Sequence, residues 1–247
     1  MEARTLLSFQ DVQFSYLIPA GQATSFKEAV HEALRGRYFI KKPVLKGITF
    51  SLQQGERVGI VGRNGSGKTT LLRLACGIAL PEHGLIRRLG TLAPVLSLGA
   101  GLEPELSGLE NILLLYALAG GDPKMEKEVM HSVVEFSELS EQVLKMQVKR
   151  YSSGMMARLS FGVAMALNPD LLVVDEALAV GDAGFQQKCY AAIQEFCSMG
   201  GSLLLVSHAA EEVQRMCHRV LWLEEGELKA DGPALAVLKQ YQNALGL

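Results

Sequence analysis

The sequence predicts an α/β fold: a P-loop core, a small β unit ahead of it, and a helical unit inserted within it. Three observations carry this. The stretch Gly62-Arg63-Asn64-Gly65-Ser66-Gly67-Lys68-Thr69 fits the phosphate-binding loop pattern, with an apolar run before it and a helical run after it. Two further runs, Leu171–Val174 and residues 203–206, are wholly apolar and short, the mark of parallel strands buried on both faces. Between them and the loop, residues 104–144 carry helical periodicity and no strand signal.

Taken in order, residues 7–16 alternate apolar and polar side chains around Phe9, Val12, Phe14 and Tyr16 and read as an edge strand. On its own, Tyr16 reads as an ordinary strand aromatic. Ser25-Phe26-Lys27-Glu28 is a capping box, and Phe26, Ala29, Val30, Ala33 and Leu34 share one helical face that Gly36 is placed to end. Arg35, Arg37, Lys41 and Lys42 then surround Tyr38, Phe39 and Ile40. This segment, about 22–42, suits either a membrane surface, or a partner sitting in one, or a solvated linker beside a packed helix.

Residues 44–52 and Arg57–Val61 read as strands joined by a Gln53-Gln54-Gly55-Glu56 hairpin turn. The second feeds the P-loop and a helix over 69–79. Glycines there let backbone N–H groups converge on phosphate oxygens, and the helix N-terminus adds a favourable dipole. Lys68 supplies a positive charge for the β- and γ-phosphates, and the Thr69 hydroxyl can ligate Mg²⁺. A smaller sheet element falls within 84–98, interrupted by Gly90 and Pro94.

Ser107-Gly108-Leu109-Glu110 is a second capping box, opening a helix to Ala119 that Gly120-Gly121 stops. Asp122-Pro123 starts another, with Met125, Val129, Met130, Val133 and Phe136 on its apolar face. Tyr151-Ser152-Ser153-Gly154-Met155 opens a helix to about Leu167, which Asn168-Pro169 ends. The strand Leu171–Val174 closes on Asp175-Glu176, at the sheet edge where open α/β folds bind ligands. Asp175 there can hold Mg²⁺ opposite Thr69, and Glu176 can polarise a water toward a γ-phosphate. Residues 203–206 end on Ser207-His208, and His208 can reach the same phosphate. A last hairpin turns at Glu224-Glu225-Gly226, and a helix runs from about Pro233 to Leu245.

The composition bounds the rest. A chain of 247 residues buries one large core or two small ones, and a net charge of -2 gives no basic field for nucleic acid. Cys76, Cys189, Cys197 and Cys217 show no C-x-x-C spacing and read as reduced, buried thiols, which fit a cytoplasmic protein. Residues 1–9 lack a signal-peptide core, and no apolar run approaches the ~20 residues of a membrane span. A membrane role therefore requires another chain to supply the membrane part.

In this order the pieces resemble, over essentially the whole chain, the nucleotide-binding subunit of an ATP-binding cassette (ABC) transporter. The family's signature loop, usually Leu-Ser-Gly-Gly-Gln, is matched by Tyr151-Ser152-Ser153-Gly154-Met155, with Ser153 in place of a glycine and Met155 in place of the glutamine. The resemblance implies a RecA-like P-loop NTPase core in one domain over 1–247, with the helical subdomain at about 104–165. It implies ATP and Mg²⁺ held by Gly62, Arg63, Asn64, Gly65, Ser66, Gly67, Lys68, Thr69 and Thr70, with Tyr16 stacking on adenine. Thr69 and Asp175 would hold the metal, Glu176 and His208 would be catalytic, and Asp182 would mark the D-loop. Ser152, Ser153 and Gly154 would reach the nucleotide of a second copy, in an ATP-sandwich homodimer.

The closest subgroup is similar to the ATPases that export lipid-linked polysaccharides such as O antigen, capsule or teichoic acid. Four stretches carry this: residues 151–155, residues 175–182, Phe185-Gln186-Gln187-Lys188-Cys189, and residues 98–101 ahead of 105–111. The 22–42 insertion resembles the same subgroup. The implied partners are a permease dimer in the bacterial inner membrane, at whose cytoplasmic face this chain would sit, and a lipid-linked glycan. The alternatives are an ABC ATPase of another transporter class, or a soluble ABC ATPase. Two departures stand out. No glutamine lies between Leu85 and Glu110, where the family places one that touches Mg²⁺ and water; Ser97 or Leu98 takes its place. The chain ends at Leu247, leaving no room for the C-terminal carbohydrate-binding domain of some relatives.

Overall fold

The computed structural model describes residues 4–19, 39–96, 101–175, 182–207 and 209–246. The chain runs through β1 (Thr5–Pro19), β2 (Phe39–Gln53), β3 (Arg57–Val61), α1 (Lys68–Ala75), β4 (His83–Arg88) and β5 (Leu92–Val95). Helices α2 (Gly108–Leu118), α3 (Glu126–Ser137), α4 (Glu141–Leu144) and α5 (Ser153–Ala166) follow. The last part is β6 (Leu171–Val174), α6 (Ala183–Ser198), β7 (Ser202–Val206), α7 (Ala210–Met216), β8 (Arg219–Glu224), β9 (Glu227–Pro233) and α8 (Ala234–Leu245).

Two sheets form. The larger has the order β5-β6-β7-β3-β8-β9, parallel except for β9, which returns antiparallel beside β8. Its central strands β6, β7 and β3 are apolar after the opening Ser202 and Arg57 because both faces are covered. Leu172, Val174, Leu203 and Leu205 point into a core with α5, α6, α7 and α8, while Leu171, Val173, Leu204 and Val206 point into a second core with α1 and the smaller sheet. Pro94, which cannot donate to a ladder, sits in the edge strand β5.

The smaller sheet is antiparallel, in the order β2-β1-β4. This corrects the expected edge strand: β1 lies in the middle, and its alternation reflects one buried face and one solvated face. Phe9 and Val12 are both buried at odd spacing because the ladder shifts register between them. Asp11 there adopts φ 47°, and its N–H donates to Thr49 Oγ1 at 2.9 Å.

Residues 53–56 make a tight turn, with Glu56 N–H donating to Gln53 O at 3.0 Å, but the strands they join do not pair. Strand β2 belongs to the small sheet and β3 to the large one, so the expected hairpin is a crossover between sheets. The 22–42 segment is also corrected at its end. Residues 39–42 are strand, paired with residues 16–19 of β1. Its expected helix lies outside the described residues, as do residues 98–100 and 176–181 and His208.

Helix α1 stops four residues earlier than its apolar run suggests. Gly77 turns at φ 75°, Ile78 N–H reaches back to Arg73 O at 2.9 Å, and Arg88 donates to the Ala75 and Leu74 carbonyls. The helical unit has its own core of Ile112, Val133, Leu144, Val148, Leu159 and Val163. Both expected caps form there: Ser107 and Glu110 exchange hydrogen bonds at the start of α2, and Asp122 caps the turn before α3. Among the described residues, no helix is long and apolar enough to cross a membrane. Cys189, Cys197 and Cys217 are buried free thiols, and burial pushes Cys189 and Cys217 up to about 12.

Candidate nucleotide site

Strand β3 delivers the P-loop to the edge of the large sheet, and α1 carries the chain away. Gly67, the residue before α1, has φ 107°; a Cβ there would lie 2.8 Å from Leu45 Cδ2 and 3.2 Å from Val44 O. Gly65 has φ 79° and nothing within 4 Å of where a Cβ would be, so its surface side is open. Lys68 is 7% exposed, and its Nζ donates to Gly62 O at 2.8 Å and Arg63 O at 3.1 Å, arching back over the loop. The Ser66 hydroxyl is buried with no hydrogen-bond partner. Two features of this loop fit an anion: an unmet donor and a helix start without a side-chain cap.

A cleft of about 460 Å³ opens on this loop, lined by Asn64, Gly65, Gly67, Lys68, Thr69 and Thr70 on one side and Tyr16, Lys42 and Val44 on the other. Thr69 is exposed in it, whereas Thr70 is buried and meets the Tyr16 hydroxyl at 3.3 Å. Phe14 packs edge-on against Tyr16, with centroids 5.0 Å apart. Tyr16, 54 residues ahead of Thr70 in the chain, is thus brought to the P-loop.

The parallel ladder fixes what else shares this edge. Ile60 is in register with Val206, and Leu205 with Val174, so the ends of β3, β7 and β6 lie side by side. Asp175 follows β6, 7% exposed, with its N–H on Val95 O at 2.9 Å. Ser207 follows β7; its hydroxyl donates to Glu212 at 2.6 Å and accepts from Ala209 N–H at 3.0 Å. Burial raises the Glu212 carboxyl above its ordinary range, partly offset by Arg215.

Ser152, Ser153 and Gly154 do not line the cleft. They form the start of α5, where Ser152 accepts from Met155 N–H at 3.2 Å and both serines are exposed. Asp182 likewise caps α6, accepting from Phe185 N–H at 3.0 Å. Arg158 ties these parts together. It bonds Asp182 at 2.7 Å and Glu138 at 2.9 Å, with its guanidinium 4.3 Å from the Phe185 ring centroid. Glu138 also takes Lys188 at 2.7 Å. The hydrogen bond from Phe185 N–H, then Arg158, holds Asp182 below the usual carboxylate range; Lys188, then Arg158, does so for Glu138.

Sequence reasoning missed three contributors. Gly226, in the β8–β9 turn, donates to Ser66 O at 3.1 Å and accepts from Lys46 N–H at 2.8 Å, bracing the P-loop from behind. Nothing local in the sequence links positions 66 and 226. Lys42 and Val44 form a wall of the cleft, which takes the assembled sheets to see because the β1–β2 ladder shifts register there.

Comparison with known proteins agrees with this geometry. The family model for the ABC transporter domain matches residues 45–179. The chain is 41% identical over 214 residues to the O-antigen export system ATP-binding protein RfbB of Klebsiella pneumoniae, covering 87% of this chain and 85% of that protein. It is 37% identical over 239 residues to the teichoic acids export ATP-binding protein TagH of Staphylococcus haemolyticus, covering 97% and 89%. A solved ATP-binding subunit of an ABC transporter superposes with a TM-score of 0.75 at 23% identity, over 96% of this chain and 93% of that one. The dimeric ATP-binding cassette MJ0796 bound to ADP and Pi superposes with a TM-score of 0.73 at 20% identity, over 93% and 99%. With the P-loop and the parallel sheet in place, the chain belongs to the ABC transporter family, as one of its ATP-binding subunits, an ATPase.

Proposed function

We propose that this chain is the ATPase of an exporter of lipid-linked polysaccharide, of the O-antigen or teichoic-acid kind, acting as a homodimer on the cytoplasmic side of a membrane permease. The names of the relatives at 41% and 37% identity support the cargo class. The observation that carries the mechanism is the division of the site. Tyr16, Lys68 and Thr69 line one cleft, whereas the Ser152 to Gly154 helix start is exposed and outside it. A surface serine hydroxyl at a helix N-terminus suits the γ-phosphate of a nucleotide held by a second copy.

In this reading each site joins the P-loop, Asp175, Glu176 and His208 of one copy to Ser152, Ser153 and Gly154 of the other. Thr69 and Asp175 would hold Mg²⁺, which when bound offsets charge on the β- and γ-phosphates. Glu176 orients the attacking water. The γ-phosphate is the contact that favours the closed dimer, and its hydrolysis lets the copies part.

The test is Glu176→Gln in the full chain. Steady-state hydrolysis should fall at least ~100-fold while ATP binding persists, and gel filtration with ATP should show a dimer. Hydrolysis at the parent rate, or a monomer with ATP bound, would sink the mechanism. The cargo is tested separately, by stimulation of the ATPase in proteoliposomes that carry the permease and lipid-linked glycans.

A further inference from the structure

We propose that Lys42 is a nucleotide-binding residue, placing a second cation against the phosphate chain from the strand wall of the cleft. The inference rests on the P-loop cleft being the nucleotide site. Lys42 and Val44 flank Pro43 on β2, where the ladder to β1 shifts register, and both line the cleft. Directly across the β1–β2 ladder from Lys42 is Tyr16, the aromatic that lines the same cleft.

The neighbouring cations are already engaged. Lys41 pairs with Glu82 at 3.3 Å, and Lys68 is buried against the Gly62 and Arg63 carbonyls at the inner end. Lys42 is exposed and pairs with no acid among the described residues. With Lys68 buried, the two lysines meet the cleft at different depths. With the base beside Tyr16 and the terminal phosphate beside Lys68, the Lys42 ammonium meets the inner phosphate end of the nucleotide. That contact is common to ATP and ADP. It raises affinity for both alike and leaves discrimination of the γ-phosphate to Lys68 and to the partner copy.

Titration calorimetry with Mg-ATP and Mg-ADP on the parent chain, Lys42→Met and Lys42→Arg decides this. Lys42→Met should weaken ATP and ADP by the same factor, roughly five- to tenfold at low salt, as expected for one partly solvated charge contact. The loss should shrink when salt is raised from about 50 to about 500 mM, because the contact is screened. Lys42→Arg should stay within about twofold of the parent, since it keeps the charge. Parent-like affinity in Lys42→Met, a loss confined to ATP, or a loss that salt does not alter would each overturn the proposal. Failure of the underlying site looks different: the parent chain itself would bind neither nucleotide, or Lys68→Ala would bind both as the parent does.

Discussion

Helices α1 and α5 both begin at a small residue, Gly67 and Ser152, and the two starts are finished in opposite ways. Helix α1 starts at Gly67 in a left-handed conformation with no side-chain cap, beside a buried lysine and a buried, unpartnered serine hydroxyl. Helix α5 starts at Ser152 in extended conformation, with its own hydroxyl accepting from Met155 N–H, on the surface. An uncapped, walled start keeps its amides for a ligand. A capped, exposed start is stable without one and offers its hydroxyl to another surface. The two ends of the proposed sandwich thus differ in readiness: the P-loop side is preformed, and the signature side is complete only as a protein surface.

The largest break in this comparison comes at the P-loop. Lys68→Ala should weaken ATP binding at least ~100-fold, since it deletes the buried cation from a preformed anion site, and calorimetry on the single copy reads it directly. At the other helix start, Ser152→Ala should leave single-copy ATP affinity unchanged but lower kcat about tenfold or more, the loss of one charge-assisted hydrogen bond. It also removes a helix cap worth about 1 kcal/mol, and for a chain of this size lowers Tm by about 2–4 °C. Equal effects of the two substitutions on single-copy binding would erase the distinction.

The smallest effect concerns the joint that carries α5. Asp182 and Glu138 both have carboxyls held below their ordinary range in the folded chain, through Phe185 N–H and Lys188 first and Arg158 next. Their stabilisation is therefore complete above the unfolded carboxylate value of about 4 and is lost as pH falls through the lower folded values. Melting followed by circular dichroism should be flat in this term from about pH 7 to about pH 5 and decline below about pH 4. Asp182→Asn should blunt that decline; an unchanged acid limb would remove the cluster from the stability of the joint. Both carboxylates are solvent-exposed, so the effect is modest.

Local signals in the sequence were enough for what is built locally. The caps at Ser107 and Asp122, the helix opened by residues 151–155 and the apolar β6 follow from a few neighbouring residues each, and all form. Pairing between distant segments was harder to read. The turn chemistry at residues 53–56 is real, yet it does not say which sheet each strand joins. The contrast between alternating β2 and wholly buried β3 was the available sign that they part company. For β1, one solvated face imitated an edge. Within the site, Lys68, Thr69, Tyr16 and Asp175 were named from motif and resemblance and stand at the P-loop or the sheet edge beside it. Lys42 and Gly226 needed the assembled sheets.

The bracing of the P-loop by Gly226 bears on how the protein is made. Strand β3 lies between β7 and β8, so its neighbours come from residues 202–206 and 219–224. A nascent chain on the ribosome that has reached residue 200 carries the whole P-loop sequence and neither strand that flanks it. The brace on Ser66 is added only when the β8–β9 turn has emerged. Because β3 pairs only with strands that follow it by more than 140 residues, its place in the sheet is set by late, non-local contacts, the kind that form slowly.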